Sequence, residues 1–99
     1  MDFNNTKTEI KMWFENLNEI KNANLTFKEE VNFQNIRTLA IDLENKSNMG
    51  IVIIYEDSHL FFDFMSKDDS EMKSYNWSEK FNNLENLKER IEESLNKYL

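Results

Sequence analysis

The single histidine of the chain, His59, stands between two carboxylates in the short stretch from Asp57 to Asp63. Together with the hydroxyl of Ser58, these residue types could form a general base and its nucleophile. Their spacing opposes that chemistry, because adjacent residues of a strand point to opposite faces and the imidazole then cannot reach Ser58. His59 and Asp63 share a face, but Phe61 stands between them. We therefore predict a solvated histidine and no catalytic residue.

Metal and cofactor motifs are also incomplete in this sequence. The acidic run 68–71 resembles part of a calcium loop, but it lacks the alternating acids, the central glycine and the correctly spaced terminal glutamate. The chain has no cysteine, which removes zinc–thiolate and thiol chemistry. Its one glycine, Gly50, is too few for a glycine-rich phosphate loop or a dinucleotide fingerprint. We expect no metal, no cofactor and no enzymatic activity.

Negative charge is concentrated in the middle of the chain. The formal net charge is −7, and residues 40–71 carry −6 of it. Direct nucleic-acid binding needs clustered lysine and arginine, so this distribution disfavours it. A basic protein partner is the natural complement, although acids on loops can also serve solubility alone. The acids of this segment are Asp42, Glu44, Glu56, Asp57, Asp63, Asp68, Asp69 and Glu71.

The rest of the chain is organised around the densest apolar stretch, Met49 to Met65. Its only plausible tight turn is Glu56-Asp57-Ser58, so the stretch predicts a β-hairpin. The first strand is apolar on both faces: Val52 and Ile54 point to one face, and Ile51, Ile53 and Tyr55 point to the other. Such a strand is expected at the centre of a sheet, covered on both sides.

Helical and alternating patterns on either side of this hairpin complete the fold. A capping box at Thr6 predicts a helix over residues 6–22, and Asn82 predicts the start of a second helix that runs to about the C-terminus. Alternation predicts strands over 25–31 and 37–44 and a weaker strand over 71–77. Short connections require antiparallel pairing. The prediction is an α+β fold with an N-terminal helix, an antiparallel sheet of four to five strands in meander order and a C-terminal helix.

Chain length and hydropathy set the remaining expectations. With 99 residues, the chain is expected to form a single domain over residues 1–99. No apolar run approaches the length of a membrane span, and the first residues lack a signal-peptide pattern. We therefore expect a cytoplasmic protein that does not associate with a membrane.

The placement of the two amphipathic helices decides whether one sheet face is left exposed. We expect both helices on one face, over Leu39, Ile41, Ile51, Ile53, Leu60 and Phe62. The opposite face would then present Val52, Ile54, Phe61, Tyr75 and Trp77, and an apolar patch rimmed by acids indicates an interface. With one helix on each face, that patch would instead be core.

Several segments together resemble a known family. They are Trp13-Phe14, Ala40-Ile41-Asp42-Leu43-Glu44, Met49 to Glu56, Phe62-Asp63-Phe64 and Phe81 to Leu87. The chain is similar, from about residue 10 onward, to the small immunity proteins of bacterial polymorphic toxin systems, and most like the TriTu type. This resemblance implies a cytosolic protein that binds and neutralises a cognate toxin domain without catalysis.

The charge pattern and this resemblance together name candidate binding residues. An acidic surface would steer association with a basic toxin, and aromatic residues would supply buried anchors. Free protein is expected as a monomer or homodimer. Two alternatives stay open: an acidic nucleic-acid mimic or host-enzyme inhibitor from a mobile element, and a homo-oligomerising accessory or chaperone-like protein. The predicted partner-binding residues are Glu56, Asp57, Phe61, Asp68, Asp69, Glu71, Tyr75 and Trp77.

Overall fold

A computed structural model describes residues 2–17, 23–67 and 74–99 of the chain. Within these ranges two helices enclose a run of five strands, which confirms the predicted α+β order. Helix α1 comes first and helix α2 last. The elements are α1 (Phe3–Glu15), β1 (Asn24–Val31), β2 (Arg37–Glu44), β3 (Asn48–Tyr55), β4 (His59–Ser66), β5 (Ser74–Lys80) and α2 (Leu84–Tyr98).

Helix α1 begins earlier than its capping-box pattern predicts. Asp2 is the N-cap, and its carboxylate accepts hydrogen bonds from the backbone N–H groups of Asn4 and Asn5. Thr6, the predicted cap, lies inside the helix and is buried, with its hydroxyl donating to the carbonyl of Asp2. An aspartate satisfies the free N–H groups of a first turn as well as threonine does, so the upstream cap extends the helix. Helix α1 ends at Glu15, and the predicted continuation over 18–22 lies outside the described residues.

Helix α2 begins one residue later than predicted. Asn83 is the N-cap, and its side chain accepts from the N–H of Asn86 at 2.8 Å. The side chain of Asn86 in turn accepts from the N–H of Asn82 at 3.0 Å. The first bond is one half of a capping box, whereas the second reaches the residue before the N-cap instead of the N-cap itself.

The sheet is an antiparallel meander with the strands in sequence order from β1 to β5. The predicted hairpin is confirmed, with β3 at the centre of the sheet and a turn over residues 56–58. Ser58 lies in this turn with a positive φ of 70°, and its N–H donates to the carbonyl of Tyr55 at 3.1 Å. Strand β5 ends at Lys80, three residues beyond the predicted end at Trp77, and the first part of the predicted strand, residues 71–73, lies outside the described residues.

Both helices pack on the same face of the sheet, which we call the covered face. Phe14 of α1 contacts Phe27 of β1 edge to face, with ring centroids 6.3 Å apart. Tyr98 of α2 lies against Phe64 of β4 and Trp77 of β5, with centroids 5.5 and 5.4 Å away. Side chains from both helices and from the covered face form one buried cluster. Neither of the two described helices lies on the other face, which we call the open face.

The assignment of residues to the two faces of β3 corrects the prediction. Val52 pairs with Ile41 on one side and Phe62 on the other, and paired residues point to the same side of a sheet. Val52 and Ile54 are therefore core residues with no exposed surface, rather than exposed as predicted. Ile51 and Ile53, predicted to lie under the helices, are on the open face.

Candidate protein-interaction site

The centre of the open face is apolar although neither α1 nor α2 covers it. Strand β3 contributes alternate residues, which are Met49, Ile51, Ile53 and Tyr55. Ile51, Ile53 and Tyr55 are half-buried by their neighbours on the sheet, and Met49 is 41% exposed. The flanking strands add further half-buried side chains, which are Ala40 from β2 and Phe61 and Met65 from β4.

Polar residues of the two edge strands surround this apolar centre. Strand β1 turns Asn24, Thr26, Lys28 and Glu30 to the open face, and all four are exposed. Strand β5 turns the equivalent exposed residues to it, which are Ser74, Asn76, Ser78 and Lys80. An apolar centre with a polar rim is the usual composition of a protein–protein interface.

Two aspartates interrupt the apolar centre in a single row across the sheet. Ile51 pairs with Asp42 of β2 on one side and with Asp63 of β4 on the other. At the usual strand spacing, the two aspartate backbones lie roughly 10 Å apart. The Oδ1 atom of Asp63 is buried and has no hydrogen-bond partner within the described residues. Since buried polar groups are nearly always paired, this oxygen is an exception that needs a reason.

Most other acids around the open face are already neutralised. Glu44 forms an ion pair with Lys67, and Glu30 with Lys28 at 3.0 Å. These contacts leave Asp42 and Asp63 without an ion pair in the described part of the chain.

The predicted binding residue Glu56 is engaged inside the protein. Its carboxylate accepts hydrogen bonds from the Nε and Nη2 atoms of Arg37 at 3.1 and 2.9 Å and from the Arg37 backbone N–H at 3.2 Å. The side-chain hydrogen bond from Arg37 is the largest influence that holds the pKa of Glu56 below its ordinary value. Glu56 therefore holds the β3–β4 turn against β2. Its carboxylate has few hydrogen-bond acceptor positions left for a partner protein.

Asp57 and His59 lie together at the rim of the open face. The Nδ1 atom of His59 is 3.0 Å from Oδ1 of Asp57, and both side chains are nearly half exposed. That distance is short enough for an ion pair, but Nδ1 forms no hydrogen bond of acceptable direction. The contact is therefore electrostatic and depends on protonation of the imidazole.

The aromatic residues predicted as anchors divide between the two faces. Phe61 lies on the open face, as predicted. Trp77 and Tyr75 lie on the covered face, because they pair with Phe62 and Phe64, so their predicted placement on the open face is wrong. Trp77 stacks on Phe62 with ring centroids 4.6 Å apart, and its Nε1 donates to Glu79 at 3.1 Å. Tyr75 is 48% exposed and leans on Tyr98.

The structure describes only Glu56 and Asp57 of the predicted acidic rim. Asp68, Asp69 and Glu71 lie outside the described residues. The flanking strand ends at 66 and 74 are at the opposite end of β4 from the turn that carries Glu56 and Asp57. An eight-residue strand separates these ends by roughly 25 Å.

Shallow depressions occupy both ends of the open face. One, of about 350 Å³, is lined by Asp42, Ile51, Asp63 and Met65, among others. The other, of about 390 Å³, lies between the β1–β2 loop and the β3–β4 turn and is lined by residues that include Ile36, Tyr55, Asp57, His59 and Phe61. Both depressions could receive side chains of a partner.

Sequence analysis missed the exposed Phe33 of the β1–β2 loop. Its side chain is 96% exposed, the highest value among the large apolar residues. The loop is held by Asn32, whose Oδ1 accepts from the N–H groups of Gln34 and Ile36 at 2.9 and 3.0 Å, and by Asn35 in the left-handed region. An asparagine followed three residues later by a second asparagine is a turn signal that could have revealed this loop.

Comparisons with known proteins add no functional assignment: no family model, no curated protein and no solved structure matches the chain. In the part of the chain that the structure describes, neither helix has the length and apolarity to cross a membrane. Over the same residues, no three His, Asp or Glu side chains converge in a way that could hold a metal ion.

Proposed function

We propose that this protein is a cytoplasmic immunity protein that binds a basic cognate toxin domain through its open face and neutralises it by occlusion, without catalysis. The observation that carries the proposal is the centre of the sheet, where β3 is apolar on both faces and, among the described residues, only one face is packed against helices. A strand of that composition is normally covered on both sides. A partner protein would supply the missing cover.

Charge favours a basic partner over a neutral one. The protein has a net charge of −7, and Asp42 and Asp63 carry negative charge into the apolar centre of the open face. Opposite charge on a partner would accelerate the encounter, and the apolar centre would then provide the buried contact area. This division of roles matches an inhibitor that must capture a toxin quickly.

The direct test is co-expression with the product of the adjacent upstream gene, followed by a growth assay and affinity purification. Wild-type protein is expected to restore growth and to co-purify with that product. Ile53→Arg, which places a charge in the open face, should abolish both effects. Asn96→Arg makes the same charge change on the exposed side of α2 and should behave as wild type.

The remaining outcomes separate this proposal from its alternatives. Absence of toxicity and of a complex would reject the immunity function. Light scattering would instead assign the open face to self-association if the wild-type protein had the mass of a dimer and Ile53→Arg had the mass of a monomer. Capture that Ile53→Arg leaves intact would place the interface elsewhere on the molecule.

A further inference from the structure

We propose that Asp63 and Asp42 form a receptor for one arginine side chain of the partner, which lies across Ile51 and pairs with both carboxylates. This inference rests on the proposed function, since it names the chemistry by which the partner is recognised. The occupant is an arginine set among apolar residues on a basic protein surface.

The position of Asp63 is costly for the free protein. Aspartate is a poor strand residue, yet Asp63 lies in β4, next to the central strand. On the open face, its neighbours along the strand are Phe61 and Met65, and its neighbours across the sheet are Ile51 and Asn76. One of its carboxylate oxygens is buried without a hydrogen bond in the described structure. An acceptor left unsatisfied in this way destabilises the folded state. The residue as a whole is only half-buried and lines the depression of about 350 Å³ together with Asp42 and Ile51, where a donor from a partner would meet it.

Two basic residues near this row form ion pairs with other acids. Lys67 pairs with Glu44, and Lys28, the basic residue diagonal to Asp42, forms its ion pair with Glu30. The pKa of Lys28 is raised mainly by that hydrogen bond with Glu30 and only in a minor part by Asp42. The described residues therefore leave the Asp42–Asp63 row with uncompensated negative charge.

The geometry favours arginine over lysine. The two aspartates flank one isoleucine in a row, at a backbone separation of roughly 10 Å. A guanidinium is planar, offers five N–H donors in a fixed fork and is less strongly hydrated than an ammonium group. It can therefore lie flat on the Ile51 side chain and donate toward both sides, whereas an ammonium ion is a point charge on a flexible stem.

A peptide titration tests the receptor without knowledge of the partner. The probe is the capped tripeptide valine–arginine–valine, with citrulline and lysine versions as matched controls. We expect the Ile51 methyl and Asp63 amide resonances to shift at least threefold more with the arginine peptide than with the citrulline peptide at equal concentration. Asp63→Asn should remove this difference, and Glu89→Gln, an equal change of charge at an exposed position of α2, should preserve it.

Three outcomes would overturn the inference. Equal shifts with the arginine and citrulline peptides would show that charge is not recognised in this row. Shifts with the lysine peptide as large as those with the arginine peptide would contradict the guanidinium geometry. An arginine response that survives Asp63→Asn would place the receptor elsewhere.

The free protein gives a second readout. Because Asp63→Leu removes the unsatisfied carboxylate, it should raise Tm by about 4 °C or more. Asn76→Leu, an exposed position in the same row, controls for the added leucine and should have a smaller effect. A lower Tm for Asp63→Leu, or equal gains for the two variants, would show that Asp63 costs the free protein nothing.

The toxin domain used in the growth assay separates failure of this inference from failure of the proposed function. If Ile53→Arg abolishes capture while Asp63→Asn leaves the affinity unchanged, the open face binds the toxin and the arginine receptor is wrong. If neither variant affects capture, both proposals fail. If the inference is correct, Asp63→Asn should weaken capture about tenfold or more, and Glu89→Gln should do so much less.

Discussion

Phe64 lies directly across Gly50, its partner in the β3–β4 pairing, and occupies the space that a side chain there would need. A Cβ atom built on Gly50 would be 2.5 Å from Cδ1 and 2.7 Å from Cε1 of the Phe64 ring. The ring cannot move aside freely, because it is buried and stacked among Phe62, Trp77 and Tyr98. The only glycine of the chain is thus required by the packing of one phenylalanine.

Gly50→Ala should therefore destabilise the protein, by about 1–3 kcal/mol, as overpacked core positions do. The measurement is the free energy of unfolding from urea denaturation. In a Phe64→Leu background the same substitution should cost less, because the smaller side chain leaves room for Cβ. An unchanged midpoint for Gly50→Ala would show that the ring yields easily.

A bidentate ion pair couples α2 to β5 and should make stability depend on pH. Arg90 donates to both carboxylate oxygens of Glu79, at 2.6 and 3.1 Å, and Glu79 also accepts from the indole N–H of Trp77. The hydrogen bond from Arg90 is the largest cause of the lowered pKa of Glu79. A carboxyl group with a lowered folded-state pKa stabilises the fold above its unfolded pKa, near 4.3, and that contribution is lost as pH falls through the folded value.

Arg90→Met should lower the free energy of unfolding at pH 7 by about 1 kcal/mol, because the pair is only partly buried. The difference from wild type should shrink as pH falls below about 4 and disappear when Glu79 is protonated. Lys88→Met removes the same charge from a residue without an ion pair in the described structure, and should have little effect. Urea titrations from pH 2 to 7 measure this, and a pH-independent difference would contradict it.

Trp77 is expected to act in folding rather than in binding. Its ring stacks against three aromatic rings beneath α2, so Trp77→Ala should cost about 3 kcal/mol of stability. Phe61→Ala, on the open face, should cost less and should weaken partner binding instead. Equilibrium unfolding and toxin capture, measured on both variants, distinguish these roles. If Trp77→Ala weakened toxin capture without lowering stability, Trp77 would belong to the interface.

The exposed Phe33 should contribute to binding and not to stability. Because almost all of its side chain is in solvent, Phe33→Ser should change the free energy of unfolding by no more than about 0.5 kcal/mol. The loop is prearranged by Asn32 and adjoins the depression at one end of the open face. We therefore expect Phe33→Ser to weaken toxin capture about tenfold. Met12→Ser, at an exposed apolar residue of α1, is the control and should leave capture unchanged. Unchanged affinity would place Phe33 outside the interface.

The local sequence pattern was sufficient to predict the helices and strands and their order along the chain. Hydrophobic spacing and cap residues located both helices to within a few residues at their starts, and alternation with short connections predicted the antiparallel meander. These features depend on interactions within one turn or between adjacent strands, which the sequence contains directly. The central place of β3 also followed, because its residues are apolar on both faces.

Only the tertiary structure decided which residues face the helices. In a strand that is apolar on both sides, such as β3, the residue pattern does not show which side faces the helices. A one-residue change of register exchanges its two faces. Pairing of Val52 with Ile41 settled that choice, and the same logic moved Trp77 from the predicted open face to the covered one. The isolated carboxylate of Asp63, the Arg37–Glu56 pair and the exposure of Phe33 arise from contacts between distant segments. Such contacts leave no periodic signal in the sequence, so the open face and its charges became visible only once the chain was folded.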